Sequence, residues 1–408
     1  MTTHARRAHH ARLPRLTRPL YAYAVCQEFV LLYPVYALLF ERSGLSVSQI
    51  SSLFVIWSLT AVVLAVPCGA LADLVPRRHL LALAPLLTGT GFALWLLAPS
   101  YPAFAAGFVL WGAGGALASG ALEALVHTEL DHRGAADHYA RVMGITRALG
   151  VASVGAAALL AVPAMALGGY TAVGTASIAV CLLGALAGLA LPEHRTTTPA
   201  HTHDEPEPGY AATLRSGLHE ARTSRPVRHA LILLVVATAF WESLEEYIPL
   251  LASDAGVPAA QVPAVLLVVW AFVTTGGLLA ARAALWPRPV LGLALLTATL
   301  AAAAGAHLGT WAGWVLLGAG FALYQMLAVV ADARLQQTIT GRARATVTSL
   351  AGLGTEAVAI AVFATYAGLS TGLGHPAVFT LFVLPYALIG VIMAAPHRHP
   401  RGHTPRSR

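Results

Sequence analysis

Apolar residues in this chain occur in long uninterrupted runs. They form neither the 3.6-residue stripe of a soluble helix nor the alternation of a half-buried strand. A helix needs about 20 such residues to cross the hydrocarbon core of a bilayer. Twelve runs qualify: 19–40, 50–72, 80–98, 102–127, 142–167 and 169–191, then 230–252, 262–281, 290–308, 311–331, 345–370 and 376–395. Only Gly309 and Thr310 part the ninth from the tenth. The first run is too long, and too promptly followed by a second, to be a cleaved signal peptide. The pattern predicts an all-α polytopic membrane protein. It reads as a tail over 1–18, six spans over 19–191, a polar connection over 192–229, six more spans over 230–395 and a tail over 396–408.

Composition agrees with the pattern. Only 11% of the 408 residues are charged and 57% are hydrophobic, whereas a soluble domain carries about 25% charged residues. The mean hydropathy is +0.69. The net charge of +7 raises nucleic-acid binding as a possibility, and the placement of the charge removes it. All 25 basic residues are Arg, and 23 of them fall in the tails and the loops on the side of the tails; Arg42 lies opposite and Arg147 within a span. The positive-inside rule then predicts cytoplasmic termini and a place in the cytoplasmic membrane. Cys26, Cys68 and Cys181 are isolated in apolar runs, which indicates neither a disulfide framework nor a structural zinc.

In the polar connection, residues 210–228 could form a helix lying on the inner surface. His201, His203, Asp204 and Glu205 could grip a metal, but no second ligand group sits at fixed spacing, and a solvated linker accounts for them. No cofactor is implied.

The two halves resemble each other. Glu28-x4-Tyr33-Pro34 recurs as Glu242-x4-Tyr247-x-Pro249, and Gly44-Leu45-x3-Gln49-Ile50 as Gly256-Val257-x3-Gln261-Val262. Glu129 precedes Arg141 by twelve residues, as Asp332 precedes Arg344. Duplication on this scale points to a transporter of two pseudosymmetric halves around a midplane site.

After the second span comes Gly69-Ala-Leu-Ala-Asp73-Leu-Val-Pro76-Arg77-Arg78. This resembles the loop 2–3 motif of the major facilitator superfamily, G-x3-D-x2-G-R-[RK], with Pro76 in place of the second Gly. The matching turn of the second half, from Gly277 to Arg288, has Ala281 where Asp is expected. The resemblance covers the whole chain and implies twelve helices in two six-helix halves. Within the superfamily the chain is most similar to the twelve-span drug–proton antiporters. It departs from them in lacking an Arg in span four, where Phe108 stands near the expected position. Of their late span-five Gly-Pro motif it keeps only Gly144, Gly150 and Gly155. The resemblance also implies an inner gate built from Gly69, Asp73, Arg77, Arg78, Glu129 and Arg141, with Asp332 and Arg344 as its second-half counterpart.

Ionisable residues inside the bilayer are costly and mark function by default. Glu28 lies about 12 Å and Glu242 about 16 Å from the inner boundary, at 1.5 Å per residue. Glu242, Glu245 and Glu246 fall within about 100° of one helix face, and so close together at least one should hold a proton. The alternative is that Glu245 and Glu246 reach outer water. Glu123 and Arg147 are expected at matching depth, about 9 Å inside, as a buried ion pair that is either structural or part of coupling. Glu356 is buried in span eleven with no sequence partner, and either role suits it. Gly112-x3-Ala116-x3-Gly120 is a small-residue stripe for helix contact.

No phosphate loop, nucleophile elbow or HExxH motif competes, so an enzyme is not expected. The expectation is a monomeric, proton-coupled secondary transporter in the lipid bilayer that effluxes a small amphipathic organic molecule. The alternative is a proton-coupled uptake symporter for a metabolite; a transport-dead sensor would leave the buried acids unexplained. Acids without an unpaired midplane Arg favour neutral or cationic cargo.

Overall fold

The computed structural model describes residues 13–194, 222–339 and 344–395. Every regular element among them is helical. The long helices are α1 (Pro14–Glu28), α3 (Val47–Leu74), α4 (Arg77–Leu97), α5 (Tyr101–His132), α6 (Tyr139–Leu189), α7 (Arg225–Glu245), α9 (Val262–Ala283), α10 (Arg288–Leu308), α11 (Trp311–Thr338), α12 (Arg344–Leu369) and α13 (His375–Ala394). Short α2 (Tyr36–Arg42) and α8 (Ile248–Asp254) and a 3-10 turn over Ala136–His138 complete the set among the described residues. Among the described residues, ten helices are long and apolar enough to cross a membrane by themselves. The twelve-span reading reconciles with ten because α6 carries two spans and the first span is broken.

The first span is not the single run 19–40 expected from hydropathy. The helix starts at Pro14, stops at Glu28 and resumes at Tyr36. Pro34 has no N–H and disfavours helical backbone at Tyr33, so the chain must leave the helix there. The freed N–H of Leu32 is satisfied by the Ser177 hydroxyl at 3.1 Å, as a bilayer interior requires. Pro249 marks the equivalent break between α7 and α8. Spans five and six are one assigned helix, interrupted where Gly169 takes φ 59°, ψ −150°.

The repeated Gly motif has one structural meaning in both halves. Gly44 and Gly256 take φ of 87° and 80°, left-handed values that Gly adopts without strain. Leu45 N–H donates to Phe40 C=O at 3.2 Å and Val257 N–H to Ala252 C=O at 2.9 Å. Gly44 and Gly256 donate to Glu41 and Ser253, each at 2.9 Å. This paired bonding closes α2 and α8 identically. Ser46 and Gln49 then start α3 with reciprocal side-chain caps.

Between the halves, α3 packs on α12 and α6 on α9, contacts that the pseudo-twofold exchanges. At the end away from the termini the halves are tied by Ser48 Oγ to Ala367 C=O (3.0 Å), Ser253 Oγ to Glu41 (3.0 Å) and Tyr247 OH to Ser51 Oγ (2.7 Å). In the second half the Tyr386 hydroxyl accepts from Trp241 N–H at 3.1 Å and donates to Ala237 C=O at 3.0 Å. It thus inserts into the i→i−4 ladder of α7 one turn before the acidic end of that helix.

Candidate functional site

The two breaks bring acids to the centre. Glu28 is the last residue of α1 and Glu245 the last of α7, with Glu246 next in the gap. Each helix C-terminus adds its own negative partial charge, as at the half-helix sites that hold cations in other transporters. Glu28, Glu245 and Glu246 line one cavity of about 410 Å³, together with Gln27, Tyr33, Tyr36, Trp57, Trp111, Gly115, Val154, Pro249, Leu266 and Trp270. That volume suits a drug-sized molecule. No Arg or His is among these lining residues.

Both halves build its walls. Trp111 lies parallel to Tyr33 (5.2 Å, 13°) and nearly so to Trp57 (5.1 Å, 28°), which gives the first half an offset-stacked aromatic face. Opposite, Trp270 Nε1–H donates to Glu245. The Tyr36 hydroxyl crosses from the first half to donate to Glu246. The Gln27 side-chain oxygen is buried without a hydrogen-bond partner among the described residues.

A second cavity of about 630 Å³ shares Gln27, Glu28, Gly115 and Val154 with the first. It runs between α1, α5 and α6 to Glu123 and Arg147, toward the arginine-rich end. Those two side chains pair at 3.1 Å. They are not buried, however: Glu123 is 54% and Arg147 75% exposed, because they stand on a cavity wall and not in a helix interface. Exposed pairs contribute about 0.2–1 kcal/mol. A double-mutant cycle on Glu123→Ala and Arg147→Ala, read as thermal stability in detergent, should therefore give a coupling of no more than about 1 kcal/mol. A coupling of several kcal/mol would restore the buried-pair reading.

The other acids separate from these. Glu242, one turn before Glu245, is exposed and lines neither cavity. It lies within electrostatic reach of Glu356, which in turn bonds the Ser58 hydroxyl of the other half. Of the three carboxylates expected on one face of α7, Glu245 and Glu246 line the cavity, and Glu242, within electrostatic reach of both Glu245 and Glu356, does not.

The residues expected at the inner gate are distributed within their own halves. The Arg77 guanidinium donates to Ala124 C=O (3.1 Å) and Thr128 Oγ1 (3.0 Å). The backbone N–H groups of Arg77 and Arg78 donate to the Glu193 carboxylate at 2.8 and 3.2 Å. Glu129 is buried and bonds Arg133 and His194. A Cβ on Gly120 would stand 3.7 Å from Gly69 Cα, so α3 and α5 approach closely there. Arg78 and Arg141 are exposed, as is Asp332, which accepts from Gln336 at 3.4 Å. The side chains of Asp73 and Arg344 lie outside the described residues, as do His201, His203, Asp204, Glu205 and most of 210–228.

Sequence reading missed Glu193 and His194, which fasten the start of the central connection to the first half. Their only signal is polarity directly after the sixth run. It also missed the aromatic wall, since Tyr33, Trp57 and Trp111 are far apart in the chain.

No curated protein matches the sequence. Among solved structures, the fold is similar to a mutant form of the nucleoside transporter NupG (TM-score 0.75, 12% identity, covering 93% of this chain and 98% of that one). It is also similar to a bacterial homolog of the human lysosomal transporter Spinster in an inward-facing, unoccupied conformation (TM-score 0.67, 16% identity, 97% and 96% covered). At these identities the likeness shows the fold alone. The family model for the Major Facilitator Superfamily matches residues 22–364, and this multi-pass membrane protein belongs to that superfamily.

Proposed function

We propose that the protein is a proton-coupled secondary transporter that effluxes a small amphipathic organic compound by alternating access. The observation that carries this reading is the convergence of Glu28, Glu245 and Glu246 on a cavity between the halves that no basic side chain lines. Carboxylates this close repel one another, so a proton or a cation relieves the site, and each can drive out the other. The arginine distribution supports cytoplasmic termini in the cytoplasmic membrane. The larger cavity then leads to the cytoplasm and the tied end faces out. The protein acts as a monomer, without a cofactor. Uptake by symport would use the same groups, and the direction of flux in proteoliposomes separates the two.

Cargo is first identified by a resistance screen in a pump-deficient host. Glu28→Gln and Glu242→Gln should then retain cargo binding and lose transport driven by a pH gradient. Glu28 is in the cavity itself, and Glu242 connects through Glu356 to Ser58 across the halves. Unchanged gradient-driven transport in both variants would sink proton coupling through these acids.

A further inference from the structure

Four features of the 410 Å³ cavity converge on one ligand chemistry. Its first-half wall is lined by the mutually stacked aromatic residues Tyr33, Trp57 and Trp111, and electron-rich rings attract cations, Trp most strongly. Two helix C-termini and the carboxylates of Glu28, Glu245 and Glu246 share that lining. No side chain in the lining neutralises them. The buried, unpartnered oxygen of Gln27 adds an acceptor where the two cavities meet. A hydrated metal ion needs six or more oxygen ligands and gains little from indole faces. An anion meets only like charge.

Glu246 has a second duty. Its carboxylate accepts from Tyr36 across the halves, beside the ties at Ser51 and Glu41 that close the end away from the termini. We propose that the cavity binds a lipophilic organic cation over the Trp111 wall with Glu246 as counter-charge, and that the cation takes Glu246 from Tyr36. Loading then undoes one tie between the halves, so cargo itself biases the closed end toward opening. This rests on the reading of the cavity as the cargo site.

The test is equilibrium dialysis of the purified full-length protein against tetraphenylphosphonium and tetraphenylborate, ions of one shape and opposite charge. The cation should bind and the anion should not. Glu246→Gln and Trp111→Leu should each weaken cation binding about tenfold, whereas Glu246→Asp keeps most of it. Tyr36→Phe should tighten it severalfold by releasing Glu246. Melting curves of each variant separate lost binding from lost fold, and the comparison of the two ions on the wild-type protein decides the cation site whether or not a variant folds. Equal binding of both ions overturns the cation site, as does Glu246→Gln binding at wild-type strength. Tyr36→Phe weakening binding as much as Glu246→Gln overturns the competition, since Tyr36 would then merely position the carboxylate. Cation binding as expected without proton-driven flux refutes only the coupling. Proton-driven transport of a neutral cargo without preference for the cation refutes only this inference.

Discussion

Replacing Tyr247 with alanine should move the protein toward a state open at the end away from the termini, by about tenfold or more in population. Tyr247 is fully buried between the halves. Its ring stacks on Tyr366 at 3.6 Å and meets Phe54 of the first half edge-on at 5.5 Å. Its hydroxyl donates to Ser51 of α3. Removing an aromatic anchor from the centre of a packed interface commonly costs about 2–4 kcal/mol, and every 1.4 kcal/mol or so of it is a tenfold shift. Tyr247→Phe removes only the hydroxyl and should shift the balance less, by about 1 kcal/mol. Alkylation of a cysteine placed at Ser253, which itself bonds Glu41 across the interface, reports the opening. Equal alkylation rates with and without Tyr247→Ala would show that this ring does not hold the halves together.

The largest loss of stability is expected from one methyl group. A Cβ on Gly276 of α9 would overlap the Ala322 carbonyl oxygen and stand 2.7 Å from its carbon, both backbone atoms of α11. No flexible side chain can yield there, so Gly276→Ala must push two helices apart. Overpacking of this kind costs about 1–3 kcal/mol and occasionally more. Gly352→Ala is the control, because nothing lies within 4 Å of its added Cβ. The first variant should melt several degrees below wild type in detergent and the second close to it. Similar melting of the two would mean that α9 and α11 do not cross this closely.

The repeat residues explain why much of the fold was legible. Tyr33-Pro34 and Tyr247-x-Pro249 break the first helix of each half, and Gly44 and Gly256 close the short helices that follow. Proline's missing N–H and glycine's access to positive φ act within a few residues, so they show in the sequence. The acids at those breaks, Glu28, Glu245 and Glu246, were visible for a different local reason, as ionisable residues inside apolar runs. Their partners were not. Tyr36, Trp57, Trp111 and Trp270 sit in four separate runs, where an aromatic residue among aliphatic ones reads as ordinary packing. Glu123 and Arg147, which counting along antiparallel helices pairs, do meet at 3.1 Å. Counting could not tell that the rotation of α5 and α6 exposes both.

By itself the sequence determined that the chain is an all-helical, multi-pass membrane protein, and it displayed the repeated Glu, Tyr-Pro and Gly motifs of the two halves. Each of these depends on a window of about 20 residues or fewer, through transfer from water and local backbone geometry. The first span read as one run, and the break there came from the structure. Tertiary structure alone decided that Glu245 and Glu246 line the aromatic cavity while Glu242 lies outside it, within reach of Glu356, and that Glu193 and His194 fasten the central connection. It also decided which end of the molecule is tied shut. Those outcomes follow from helix rotation and from the contact between halves, which sum many weak packing terms across hundreds of residues and leave no mark at any one position.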